Sequence, residues 1–195
     1  MLLSNCTLCP RIHSNLKTIK VRYPSYHCGP VSGSGNMKSN ICIVGLAPGL
    51  HGANKTGIPF TSDFSGNIIR EILNDINLND VFITNVVRCY PENNIPLSSE
   101  KNNCQKYNFE ELSSLVNLKV IITLGEVAYQ QILKLYGIPI KNNKFKHNNI
   151  TKLNSELYLI SSYHCSKLNV NTRKINKNML KNVFLRAKNI STKNG

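Results

Sequence analysis

The sequence has no apolar stretch approaching the roughly 20 residues needed to span a bilayer. Its first residues, "MLLSNCTLCPRIHS", are too short and polar for the core of a signal peptide. These two absences predict a soluble cytoplasmic protein with no membrane partner. Neither G-x4-G-K-[ST] nor G-x-G-x-x-G occurs, which argues against a nucleotide cofactor. There is no internal repeat. Acidic residues are scarce, with 10 Asp+Glu against 24 Lys+Arg and a net charge of +14 at pH 7. That excess favours a polyanionic partner through phosphate neutralisation, although an AT-rich coding bias would also enrich Lys and Asn.

The 195 residues suit one domain with one hydrophobic core. The expected layout is a single domain over residues 1–195, with a loop-rich N-terminal segment at 1–40 and a tail at 191–195. Apolar, β-branched runs at "ICIVGL" (41–46), "DVFITNVVRC" (80–89), "KVIITLG" (119–125) and "LYLISSYH" (157–164) read as buried strands. Between them, "SGNIIREILNDIN", the segment from about Ser98 to Val116, and "GEVAYQQILKLYG" carry apolar residues at helical spacing. Strands alternating with helices predict an α/β fold with a parallel sheet covered on both faces. The basic tail "TRKINKNMLKNVFLRAKNI" reads as an amphipathic helix packed on the sheet through Ile175, Leu180, Val183 and Phe184, its cations forming a solvated face. The segment 141–154 reads as a surface loop or hairpin before the last strand.

Ligands of parallel α/β sheets sit beyond the carboxyl ends of the strands. Three unusual segments follow strand ends here: "GLAPGLHG", "RCYPENN" and "SYHCSKLN". The first opens a glycine-rich block, residues 45–66, whose backbone amides can approach a ligand closely. Asp63 precedes the helix that starts near Gly66, where capping is the commoner role and catalysis the rarer one. His164 at a strand end is open in the same way, as a core histidine or a catalytic one. Cys6 and Cys9 stand at C-x2-C spacing, and Cys89 and Cys104 form a wider pair. Two such pairs suit a metal or cluster site, with unrelated buried thiols as the alternative.

The order "C-x2-CPR", "GLAPG-x-HGAN-[KR]-TG-x-PFT-x-D", "RC-x-P" and "SYH-x-S-x2-N" resembles the iron-sulfur uracil-DNA glycosylases of family 5. The resemblance runs from about Cys6 to Leu180. It implies a three-layer α/β/α sandwich around a short, mainly parallel four-stranded sheet, and hydrolysis of the uracil–deoxyribose bond in DNA by a monomer as the first step of base excision repair. It implies a [4Fe-4S] cluster held by Cys6, Cys9, Cys89 and Cys104. Asp63 takes the place of the catalytic aspartate and His164 that of the histidine in the final motif. Phe60 matches the aromatic that stacks on the flipped base, and Asn94 the asparagine that reads it, with Gly45 and Ala47 against the substrate. Ser166, Lys167 and Asn169 are implied as DNA contacts, and Leu168 as a wedge into the base stack. Ala47 and Leu46 stand where sister branches carry carboxylates, which moves that role to Asp63. Three positions depart from the family: Ile58 replaces an arginine, Ser62 a glycine and Cys165 a proline. The competing readings are a family 4-like enzyme confined to uracil, a non-catalytic iron-sulfur DNA-binding protein, and an electron-transfer protein.

Overall fold

The computed structural model describes residues 3–193. Six strands form one sheet in the order β1-β3-β2-β4-β6-β5. They are β1 (Ser34–Gly35), β2 (Ile41–Gly45), β3 (Phe82–Asn85), β4 (Val120–Leu124), β5 (Asn149–Lys152) and β6 (Tyr158–Ser162). The four strands expected from the apolar runs are the inner ones, and they pair in parallel. Two antiparallel edge strands, β1 against β3 and β5 against β6, enlarge the expected four-stranded sheet to six. Both edges are polar and short, so neither carries the apolar signal that marks a buried strand. The 141–154 segment supplies β5, which makes it a hairpin with β6.

Alternation along the strands divides the core into two layers. Ile41, Ile43, Ile122 and Ile160 face α3 (Phe64–Asp75) and α7 (Lys177–Lys193), meeting Ile69, Ile72, Leu180, Val183 and Phe184. Cys42, Val44, Ile121 and Leu159 face the other way, toward α1 (Pro10–Arg22), α4 (Ser98–Ser114) and α5 (Glu126–Leu135), and meet Ile12, Leu16, Leu112, Tyr129 and Ile132. The result is the expected α/β/α sandwich. Ile175, Leu180, Val183 and Phe184 are all buried, as the amphipathic reading of the tail requires.

The N-terminal 40 residues are not uniformly loop. Cys9 leads straight into α1, whose first residue is Pro10; proline suits that position because its missing N–H would have had no partner there. Likewise residues 191–193 continue α7, and the rest of the expected tail lies outside the described residues. Among the described residues no helix is long and apolar enough to cross a membrane.

Candidate active site

The sheet order reverses at β2, with β3 on one side and β4 on the other, so a crevice opens beyond the carboxyl ends of these strands. A cavity of about 190 Å³ lies there. Its walls come from the glycine-rich block (Ala47, Pro48, Gly49, Ala53, Phe60, Asp63), the end of β3 (Asn85), and the segment after β6 (His164, Ser166, Lys167), with Asn94 also lining it. The three strand-end segments therefore converge on one site.

Asp63 is both a helix cap and a wall residue. Its Oδ1 accepts the Gly66 amide at 2.7 Å, which caps α3. Its Oδ2 lies so close to the backbone at Gly52 that a Cβ there would come within 2.3 Å of it. Only glycine admits the carboxylate at that position. Phe60 is buried with φ +52, a left-handed conformation costly for a side-chain-bearing residue. Its ring and the Asn85 Oδ1 both crowd Gly45, at 2.5 Å and 2.4 Å from where a Cβ would stand. Gly45 thus acts from behind the wall, as the space that lets Phe60 and Asn85 approach each other. Ser62, at the family's glycine position, also has a positive φ of +58.

Asn85 lines the cavity as well, and it was not among the expected site residues. It is 3% exposed, and its Oδ1 is buried without a hydrogen-bond partner. Buried amides in folded proteins are nearly always paired, so this oxygen is a candidate acceptor for a ligand in the cavity. Asn94, the expected base reader, also lines the cavity and is exposed on a turn at its edge with φ +60. The available signal for Asn85 was an amide interrupting the strand run "VFITNVV" at its carboxyl end.

His164 is partly buried. Burial pushes its pKa below the usual imidazole value, and the nearby Asp63 carboxylate opposes this with a weaker pull upward. Its carbonyl accepts the Asn169 side-chain amide at 2.8 Å, and the Ser166 hydroxyl accepts the Asn169 backbone amide at 3.3 Å. Ser166 and Asn169 therefore hold the loop that carries His164; Ser166 also lines the cavity and Asn169 does not. Lys167 is exposed and lines it, and Leu168 is 71% exposed beside it. Cys165 is buried, and its carbonyl accepts the Ser65 hydroxyl at 3.2 Å, so a hydrogen bond fastens the loop at the position where the resemblance leads one to expect proline. A second cavity of about 310 Å³ shares Ala47, Asn94, His164 and Ser166 with the first and adds Leu46 and Glu126.

Cys6, Cys9, Cys89 and Cys104 all line a separate cavity of about 430 Å³, as does Cys28. Burial pushes the Cys89 thiol up to about 12 and Cys104 to about 11. Among the described residues no three His, Cys, Asp or Glu are grouped to hold a single metal ion. Arg88, fully buried, is also in this wall, and its Nε is buried without a partner. The other end of Arg88 pairs with Glu111 at 2.7 Å and donates to Asn108 at 2.6 Å. Glu111 in turn accepts from Thr84 at 2.6 Å and from the Gly33 amide at 2.7 Å. This network ties the segment before Cys89 to β3, α4 and the N-terminal segment.

These features define an α/β protein with a ligand cavity at the switch point of its sheet and a separate thiol-lined cavity. The model of the family described as the uracil DNA glycosylase superfamily matches residues 32–188, and the chain belongs to that superfamily. The type-5 uracil-DNA glycosylase of Thermus thermophilus is 31% identical over 97% of this chain and 95% of its own length. That of Pyrobaculum aerophilum is 34% identical over 95% and 88%. The type-4 uracil-DNA glycosylase of Pyrobaculum aerophilum is 33% identical over only 70% of this chain and 63% of its own length.

Proposed function

We propose that this chain is a monofunctional DNA glycosylase that hydrolyses the bond between uracil and deoxyribose in DNA, opening base excision repair. The observation that carries the reading is the joint presence, in one cavity of about 190 Å³, of a buried phenyl ring, a buried unpartnered amide oxygen and a carboxylate. A glycosylase extrudes its target base and holds it in such a pocket. Phe60 supplies the face on which the base stacks, worth about 1 to 3 kcal/mol. The Asn85 Oδ1 accepts from uracil N3–H while its Nδ2 donates to O4; cytosine reverses both groups and is rejected. Asn94 flanks the base at the cavity's edge, and Ala47 forms part of the wall.

Breaking the glycosidic bond leaves a cationic sugar and a uracil anion. The Asp63 carboxylate stabilises the sugar and orients the attacking water. His164, kept neutral by burial, donates a hydrogen bond to the departing base without needing a positive charge. Lys167 holds DNA phosphate beside it. The adjoining cavity of about 310 Å³ favours a second reading, in which larger deaminated bases such as hypoxanthine are also released.

The four cysteines at one cavity support a [4Fe-4S] cluster. The buried thiols surrender their protons most readily to a strongly electrophilic partner, the volume suits a polynuclear group better than one ion, and the Arg88 Nε–H meets an anionic one. Such a cluster bound by Cys6, Cys9, Cys89 and Cys104 clamps the N-terminal segment to α4. The activity is tested by incubating duplexes carrying uracil, hypoxanthine or thymine opposite guanine with purified protein, then with hot alkali. Cutting at uracil and not at thymine is expected, and hypoxanthine sets the breadth. Intact uracil strands with folded protein contradict the reading.

A further inference from the structure

The wall formed by residues 48–53 carries a group that the reaction leaves unused. His51 is exposed and stands between Gly49 and Ala53, both of which line the base cavity. Its Nδ1 lies 2.8 Å from the hydroxyl of Tyr26, and its ring meets Tyr23 and Tyr26 edge-on. Tyr23 and Tyr26 stack on each other at 4.6 Å and 15°. Three cations surround them. The Arg22 guanidinium lies 5.4 Å from the centre of the Tyr23 ring and the Lys55 ammonium 5.8 Å from that of Tyr26, and Lys20 donates to the Tyr26 carbonyl. Among the described residues no carboxylate forms an ion pair with Lys20, Arg22 or Lys55.

The cluster is held in place before any ligand arrives. The Lys55 carbonyl accepts the His27 amide at 3.0 Å and the Asn54 carbonyl the Cys28 amide at 3.1 Å, fastening the helical end of the glycine-rich block to the segment after α1. A hydroxyl that donates to Nδ1 leaves the imidazole proton on Nε2, where it is a donor to an outside acceptor. Donors fixed in advance lose little entropy on binding. An exposed donor set against a tyrosine pair that carries an ammonium and a guanidinium, neither of them in an ion pair, suits a phosphodiester.

We infer that His51, fixed by Tyr26, together with the cations on the Tyr23–Tyr26 pair, binds a backbone phosphate of the strand whose base enters the cavity. This rests on the glycosylase reading. A flipped nucleotide leaves backbone on both its sides, and Lys167 covers only one wall of the cavity. The His51 cluster supplies a second fixed point, so the strand is gripped on two walls while the base is turned between them.

The test is fluorescence-anisotropy titration of purified protein against a duplex with an abasic-site analogue, over about 50 to 300 mM salt. The His51→Ala/Lys55→Ala double variant is expected to bind about tenfold or more weakly, with the slope of log affinity against log salt shallower by about one to two. Tyr26→Phe, which removes only the hydroxyl that fixes His51, is expected to weaken binding severalfold. Lys141→Ala, on an exposed turn elsewhere, keeps both affinity and slope. A double variant that melts like wild type and matches its affinity and slope overturns the inference. Wild-type protein that binds no DNA at any salt overturns the glycosylase reading as well, which separates the two failures.

Discussion

The two oxygens of the Asp63 carboxylate are placed differently: Oδ1 accepts the Gly66 amide at 2.7 Å, and Oδ2 lies over Gly52 in the wall of the cavity at the switch point. Capping and the proposed catalytic role separate by mutation. Asparagine caps helices about as well as aspartate, whereas alanine loses about 1 kcal/mol. Asp63→Asn is therefore expected to melt close to wild type and Asp63→Ala several degrees lower, with base release lost in both. Equal melting temperatures would remove the cap, and retained release would remove the catalytic role.

Asn85 and Asn94 make opposite predictions. On the proposed reading the buried Asn85 amide reads the base, so Asn85→Ala is expected to lower kcat/KM for uracil release by about 100-fold, the order of two lost hydrogen bonds. Asn94→Ala, at the cavity's edge, is expected to lose less than about tenfold. Steady-state kinetics on one uracil duplex decides between them, and the reverse ranking would restore Asn94 as the reader.

What was legible in the sequence and what was not follow from burial. The four inner strands were legible because both faces are buried, which demands continuous apolar runs such as "VIIT". Ser34–Gly35 and Asn149–Lys152 pair along only one edge and are short and only partly covered, so their sequences carry no such demand. Ile12, Leu16 and Ile19 recur at helical spacing in α1, but the turn residues after Arg22 dominate the segment, so residues 1–40 read as loop and the helix was not foreseen. The site's cavity-forming segments were legible as glycine-rich or polar stretches at strand ends. Asn85 was not, because a single amide inside an apolar strand is visible only once its missing partner is seen.

Burial lowers the pKa of His164, with Asp63 offsetting part of the effect, and burial lowers that of His147 too. The unfolded chain therefore binds more protons just below the ordinary histidine value of about 6.5, and stability falls as the pH drops through that region. Above it these groups contribute no pH dependence. Melting temperature followed from about pH 7.5 to 5.5 is expected to fall less steeply for His164→Gln than for wild type. Parallel curves would show that His164 is not held neutral.

Glu111 pairs with a fully buried guanidinium at 2.7 Å. Removing it leaves Arg88 charged and uncompensated, so Glu111→Ala is expected to destabilise by about 3 to 5 kcal/mol, read by urea unfolding. A loss below about 1 kcal/mol would mean that water or other groups satisfy Arg88.

The thiol cavity predicts a brown protein absorbing at about 400 nm and containing iron. Cys9→Ser and Cys104→Ser are expected to lose colour and iron, while Cys42→Ser and Cys165→Ser keep both, since neither Cys42 nor Cys165 lines that cavity. Colourless wild-type protein with stoichiometric zinc would overturn the cluster assignment.

The most direct test of the central claim compares uracil release by wild type and Asp63→Asn under single-turnover conditions, on one duplex, with both proteins matched in melting temperature and visible spectrum. The expected result is complete release by wild type and a rate at least about 100-fold lower for the variant. Equal rates would take the chemistry away from Asp63, and no release by folded, DNA-binding wild type would make this chain a binding protein on a glycosylase scaffold.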